Sequence, residues 1–205
     1  MFKWSLQKGF AVTLIVFGLA ACSATFRTHY DNAAPVSQTA TWSLADVRVA
    51  VPQSLSVSEA RSLLPRADIV WREDPPGDRR AQVARIMTDA VREGASGLAG
   101  SRPVRLDVVV TRFHALTFEA ESRAGGGVHN IDFIITAADA ETGEVLAGPE
   151  KVEAAFPALG GAEMAMARAR GESQKSQITA HVRRVIAGWL GIGPDARGTF
   201  SRLGG

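Results

Sequence analysis

Few side chains in this sequence are equipped for chemistry. It holds one cysteine, Cys22, and four histidines. Structural zinc needs Cys and His in close pairs, and no such spacing occurs. His-Glu-x-x-His, Gly-x-Ser-x-Gly and a P-loop lysine are missing too, so the common protease, hydrolase and nucleotide signatures are absent. Gly125-Gly126-Gly127 could suggest a phosphate cradle, but a cradle should open a helix. These glycines precede a strand and read as a flexible hairpin tip.

Two histidines are brought together by arithmetic. Strands around 104–116 and 128–138, paired antiparallel across the 119–127 loop, must match an even-numbered apolar face with an odd-numbered one. A pairing sum of 243 sets Val108 against Ile135, Val110 against Phe133, Arg112 against Ile131 and His114 against His129. Two imidazoles that close could bind a transition metal or act as a pH-sensitive pair. Spacing fixes no third ligand, so no metal site and no cofactor are expected. The ordinary alternative is two histidines at a sheet end, exposed or bonded to backbone. A slip of one residue, or a bulge at Arg112-Phe113, would dissolve the pairing. The stretch Trp71-Arg72-Glu73-Asp74-Pro75 is the other concentration of function-bearing types. Trp71 and Arg72, with Arg112, are the candidate partner-binding residues, and the structural alternative is a strand end feeding a helix.

The sulfur of Cys22 says more. Lys3 and Lys8 precede an apolar stretch that runs 13 residues, from Gly9 to Ala21, and ends Leu19-Ala20-Ala21-Cys22. A membrane-spanning helix needs roughly 20 residues, and the chain turns polar at once with Ser23, Thr25 and Arg27. The segment therefore reads as a removable signal. Cleavage as an ordinary secretory signal would leave a lone thiol in an oxidising compartment. The arrangement resembles a bacterial lipoprotein signal with its lipobox. That resemblance implies a diacylglyceryl thioether on Cys22, cleavage just before it, and acylation of the new amine with a palmitate-type chain. Two or more fatty chains anchor stably where one binds only marginally. Ser23 stands where an aspartate would resemble an inner-membrane retention signal, so the resemblance favours the outer membrane, on its periplasmic side.

Processing would also change the charge. The formal net charge is +2, and Lys3 and Lys8 account for all of it, because no acidic residue precedes Cys22. A neutral mature chain lacks the basic excess that nucleic-acid binding needs. Nineteen arginines against four lysines reflect genome composition rather than a recognition code.

The elements follow from periodicity. Residues 1–21 form the signal and residues 22–41, without hydrophobic period, a flexible tether with a reach on the order of 25 Å. A single α+β domain spans 42–191, and 192–205 is a disordered tail. Val47, Val49 and Val51 mark a strand. Ser56-Val57-Ser58-Glu59 fits a capping box opening a short helix to Leu64. Ala67 to Trp71 is a second strand, and Val83, Ile86, Met87, Ala90 and Val91 line one helix face. Strands follow at Val104–Val110, Ile131–Ala137 and Val145–Phe156, with a tight turn at Asp139–Gly143 and a break at Gly148-Pro149. Ile178, Val182, Val185, Ile186 and Trp189 form the face of the last helix. The order predicts a two-layer sandwich: a mixed or antiparallel sheet of about four to five strands with two main helices on one face. Residues 157–171 read equally as loop or helix.

Three stretches, Ala67 to Pro75, Arg112-Phe113-His114-Ala115-Leu116-Thr117 and Gly126-Gly127-Val128-His129, resemble an uncharacterised bacterial lipoprotein family known only as a domain of unknown function. The resemblance implies no activity and carries no catalytic residue across. The expectation is a non-catalytic, lipid-anchored envelope module that binds another envelope protein. The alternative is a lipid- or small-ligand-handling auxiliary lipoprotein of an envelope transport system, and the third reading is a metal-dependent or histidine-assisted enzyme.

Overall fold

Strict alternation of apolar residues builds the centre of the molecule. A computed structural model describes residues 23–123 and 125–203. Strands β4 (Arg102–His114) and β5 (Gly127–Asp139) pair antiparallel, with Val108 opposite Ile135 and Val110 opposite Phe133. All four side chains are buried. The chain then turns through Asp139, whose Oδ1 accepts the backbone amides of Glu141 (3.0 Å) and Thr142 (2.9 Å). It returns as β6 (Val145–Ala158), antiparallel to β5.

The other edge of β4 is shared. Strand β2 (Trp42–Ala50) lies parallel to its first two thirds, and the two-residue β3 (Ile69–Val70) continues the edge opposite Phe113 and His114. Beyond β6 come β1 (Ser23–His29) and β7 (Gly198–Leu203), giving the order β2-β4-β5-β6-β1-β7.

Two long helices cover one face of this sheet. Helix α2 (Arg79–Gly94) is capped by the Asp78 carboxylate, which accepts the Ala81 amide. Helix α5 (Gln174–Trp189) opens with a capping box between Ser173 and Ser176. Their apolar stripes, Val83, Met87 and Val91 on one and Ile178, Val182, Val185 and Trp189 on the other, are fully buried against the sheet. Each such side chain contributes about 1.5–3 kcal/mol by leaving water. The helices cross closely at Gly94, where a Cβ would sit 2.7 Å from the Arg183 carbonyl oxygen. Shorter helices α1 (Val36–Thr39), α3 (Phe118–Glu121) and α4 (Gly161–Ala169) complete the fold.

The two-layer α+β architecture matches expectation, and the element count corrects it. The described residues form seven strands and five helices rather than four to five strands and two helices. Ser23–His29 is not a flexible tether, because it is hydrogen-bonded between β6 and β7. Gly198–Leu203 is not a disordered tail, because all six of its residues pair with β1. No helix forms over 56–64. The Ser56 hydroxyl bonds Asp68 at 2.6 Å, twelve residues away, and Glu59 is drawn off to Arg79 at 2.7 Å. Gly161–Ala169 settles as helix. Cys22 and the signal 1–21 lie outside the described residues.

Candidate functional site

A bulge decides where the histidines go. Between Val110 and Arg112 the β4–β5 register shifts, so that Arg112 faces Asp132 and His114 faces Asn130. His114 and His129 therefore lie on opposite faces of the sheet, and the paired-imidazole site does not assemble. Among the described residues no three His, Cys, Asp or Glu side chains gather where a metal ion could be held.

His129 points into the helix layer. It is fully buried, its ring lies 4.9 Å from that of Phe156 and tilted 41° to it, and neither ring nitrogen has a hydrogen-bond partner. Burial, with His181 nearby, lowers its pKa to about 3, so the ring is neutral. His181 stacks on Phe156 at 4.3 Å. The Thr28 hydroxyl donates to the Ala155 carbonyl, so its oxygen accepts from His181 Nε2 at 3.0 Å, and Arg184 donates to Nδ1 at 3.3 Å. Burial and then Arg184 bring His181 down to about 4. These are packing histidines.

Trp71 is also in the core, fully buried and edge-on to Phe113 at 5.7 Å, its indole N–H donating to Asp74 at 2.9 Å. It cannot present itself to a partner, which corrects the expectation. The next residues serve the fold. Arg72 bonds the Glu59 carbonyl and lies 3.4 Å from its carboxylate. Glu73 accepts the amides of Gln174 (3.0 Å) and Lys175 (2.7 Å), holding the α5 N-terminus where its dipole favours an anion. Of the three expected partner-binding residues, Arg112 alone faces open space, with its Nε 3.5 Å from Asp132.

That space is a groove of about 490 Å³ on the sheet face opposite α2 and α5, at the end of the β4–β5 hairpin. Its outer wall is the loop Ser62-Leu63-Leu64-Pro65. The Thr117 hydroxyl clamps this loop by donating to the Ser62 carbonyl at 2.8 Å, and His114 Nε2 donates to the Pro65 carbonyl at 3.2 Å. Burial lowers the pKa of His114 and the Pro65 bond opposes that. Leu116 and Val128 form the floor, and Phe26 of β1 closes one side, stacked on Phe200 at 5.7 Å.

The glycine triplet has a steric reason. A Cβ on Gly126, at φ +64°, would fall 2.0 Å from the Ala158 carbonyl oxygen, and one on Gly127 would meet Leu116 at 2.8 Å. Arg112 and Arg123 stand at the rim. Arg202 of β7 donates to the Gly125 carbonyl beside them. No carboxylate lines the groove, and Arg123 has no acidic partner among the described residues. An apolar floor with a guanidinium rim suits an amphiphile with an acidic end.

Sequence reasoning missed Phe26, Leu63, Leu64 and Arg123.

Residues 42–205 match the family described as "Family of unknown function (DUF6778)". The chain belongs to this family. The match begins at Trp42, so β1 and α1 lie before it. No curated protein matches the chain. Among solved structures the family member is similar to the PelC dodecamer from Paraburkholderia phytofirmans in two crystal forms. One is 13% identical with a TM-score of 0.35, covering 82% of this chain and 97% of that one. The other is 13% identical with a TM-score of 0.34, covering 80% and 96%. A protein from Caulobacter crescentus CB15, provisionally described as a lipoprotein, is 13% identical with a TM-score of 0.28 over 53% of this chain and 83% of that one. All three likenesses are distant.

Proposed function

We propose that this chain is a lipid-anchored module of the bacterial envelope that works by binding rather than by catalysis, with the groove as its binding surface. The observation that carries the reading is the groove's composition. Apolar walls and two rim arginines are suited to recognition, and the one imidazole among the lining residues, His114, holds the outer loop by donating from Nε2 to the Pro65 carbonyl. The anchor is supported by Lys3 and Lys8, the apolar stretch from Gly9 to Ala21 and the Leu19-Ala20-Ala21-Cys22 that ends it. By the resemblance of Ser23 to a non-retained position, the outer membrane is the address and the domain faces the periplasm.

A protein partner is the second reading. Apart from the bridge of Ser43 to Ala99, the outer edge of β2 has no strand beside it among the described residues, and such an edge can accept an added strand.

Cys22→Ser tests the anchor. The protein is expected to leave the membrane fraction for the soluble periplasmic one, and native mass spectrometry of the unaltered chain is expected to find diacylglycerol on residue 22. An unmodified sulfhydryl there would remove the proposal's address.

A further inference from the structure

We infer that the groove end of the domain lies on the membrane and seats an anionic phospholipid, its phosphate on the rim arginines and an acyl chain along the floor. This deepens the lipid-anchor reading and rests on it for the nearness of a bilayer.

The topology comes first. Gly127 at the start of β5 pairs with Ala158 at the end of β6, and β1 runs antiparallel to β6 through Thr28 and Ala154. The start of β1 therefore lies at the same end of the sheet as the groove. Ser23, already paired with Leu203, follows Cys22 directly. A strand rises about 3.3 Å per residue, so Phe26 in the groove wall is about 13 Å of chain from residue 22. Fatty chains on Cys22 would bring the lipid surface to the groove mouth, with no slack to lift the domain away.

The surface at this end is suited to that place. Leu63 (42% exposed), Leu64 (64%) and Phe118 (49%) stand out from it, joined by the Thr117–Ser62 bond. Large apolar groups left exposed together mark a contact surface. Charge has the matching sign. Arg112 and Arg123 stand at the rim, Arg202 is beside Gly125, and Arg61 and Arg66 flank the leucine loop in sequence. Two acids near this end are paired, Asp132 with Arg112 and Glu121 with Arg168, and Glu119 on α3 is in no ion pair among the described residues. The whole chain carries only +2, so this is a local concentration rather than a general one. The turn from Asp139 to Val145 stands at the opposite end of the sheet, beside the start of β4.

The test uses residues 23–205, which contain every element of the described fold, so that no attached lipid contributes. Flotation is compared between vesicles of phosphatidylcholine alone and vesicles in which part of it is replaced by phosphatidylglycerol. Binding is expected to be at least tenfold stronger with phosphatidylglycerol and to weaken as salt is raised. Arg123→Glu is expected to cost on the order of tenfold. Ala120→Trp, which fills the groove and leaves every arginine in place, is expected to lower binding too, whereas Val145→Asp at the far end leaves it unchanged. Melting curves confirm that each variant is folded. Equal binding to both vesicle types, or Val145→Asp as damaging as Arg123→Glu, overturns the orientation. Indifference to Ala120→Trp overturns the acyl seat. A chain that ignores both vesicle types overturns the proposal and leaves the groove to a protein partner. None of these outcomes bears on whether Cys22 is lipidated, so the two readings fail separately.

Discussion

The two faces of the sheet obey different rules. On the helix side, Val108, Val110, Ile131, Phe133 and Ile135 meet α2 and α5 with no exposure above 1%, and the imidazoles buried in that layer, His129 and His181, are neutral. On the other side the same strands present charged pairs such as Arg105 with Asp107 and Arg112 with Asp132, with Val109 paired to Ile134 between them and a larger apolar group at the hairpin end. Folding accounts for the first set. It does not require the second, because Leu63 and Leu64 remain largely in water. Apolar groups that the core does not need are the better guide to what the molecule touches.

The contrast can be broken in four ways. Phe133→Ala empties a site in the helix layer and is expected to cost about 3–5 kcal/mol in chemical denaturation; a loss under 1 kcal/mol would mean the layer is loosely packed.

Acid is the next probe. His129 and His181, held at about 3 and about 4, stay neutral in the fold at pH values where an unfolded imidazole, near 6.5, takes up a proton. The unfolded state then binds more protons, so stability falls as pH drops from about 6.5 towards 4. Glu153, held at about 2 chiefly by its bond to Arg27, adds to the loss below its ordinary value of 4.5. One fully suppressed imidazole is worth about 2 kcal/mol between pH 6.5 and 5. His129→Leu is expected to flatten that part of the denaturation profile, and His114→Leu, on the other face, to flatten it less. Equal effects would erase the distinction between the faces.

Removing 198–203 strips Phe200 from Phe26 and bares the outer edge of β1. An aromatic stack and its burial give a loss of about 1–2 kcal/mol, seen as a melting point lower by several degrees. An unchanged melting point would return the segment to the status of a tail. The smallest effect belongs to Leu64→Ala, expected to change stability by less than about 0.5 kcal/mol. A larger penalty would show that the loop is part of the core.

Much of the helix side was legible in the residues. The alternation of Val104 to Val110 and Ile131 to Ala137 located β4 and β5 and their register as far as Val110–Phe133. The stripes of α2 and α5 were equally plain. The reading failed where phase information ran out. The register slips between Val110 and Arg112, and the residues show it only as a change of phase, Val108 and Val110 facing the core and then Phe113. The capping box at Ser56–Glu59 was a sound local motif that lost to partners twelve and twenty residues away. Strands β1 and β7 were invisible for a related reason. Each carries only one aromatic side chain, Phe26 or Phe200, and each is ordered by the other from the far end of the chain. The groove inherits that blindness, since Phe26 and Arg123 reach it from segments with no hydrophobic period of their own.

The pairing of Ser23 with Leu203 has a practical bearing on how this protein is handled. An affinity handle or fluorescent reporter fused after Gly205 would begin only two residues beyond that pair, on the side of the groove. A label inserted at the Glu141–Thr142 turn, at the opposite pole, would leave the entrance clear.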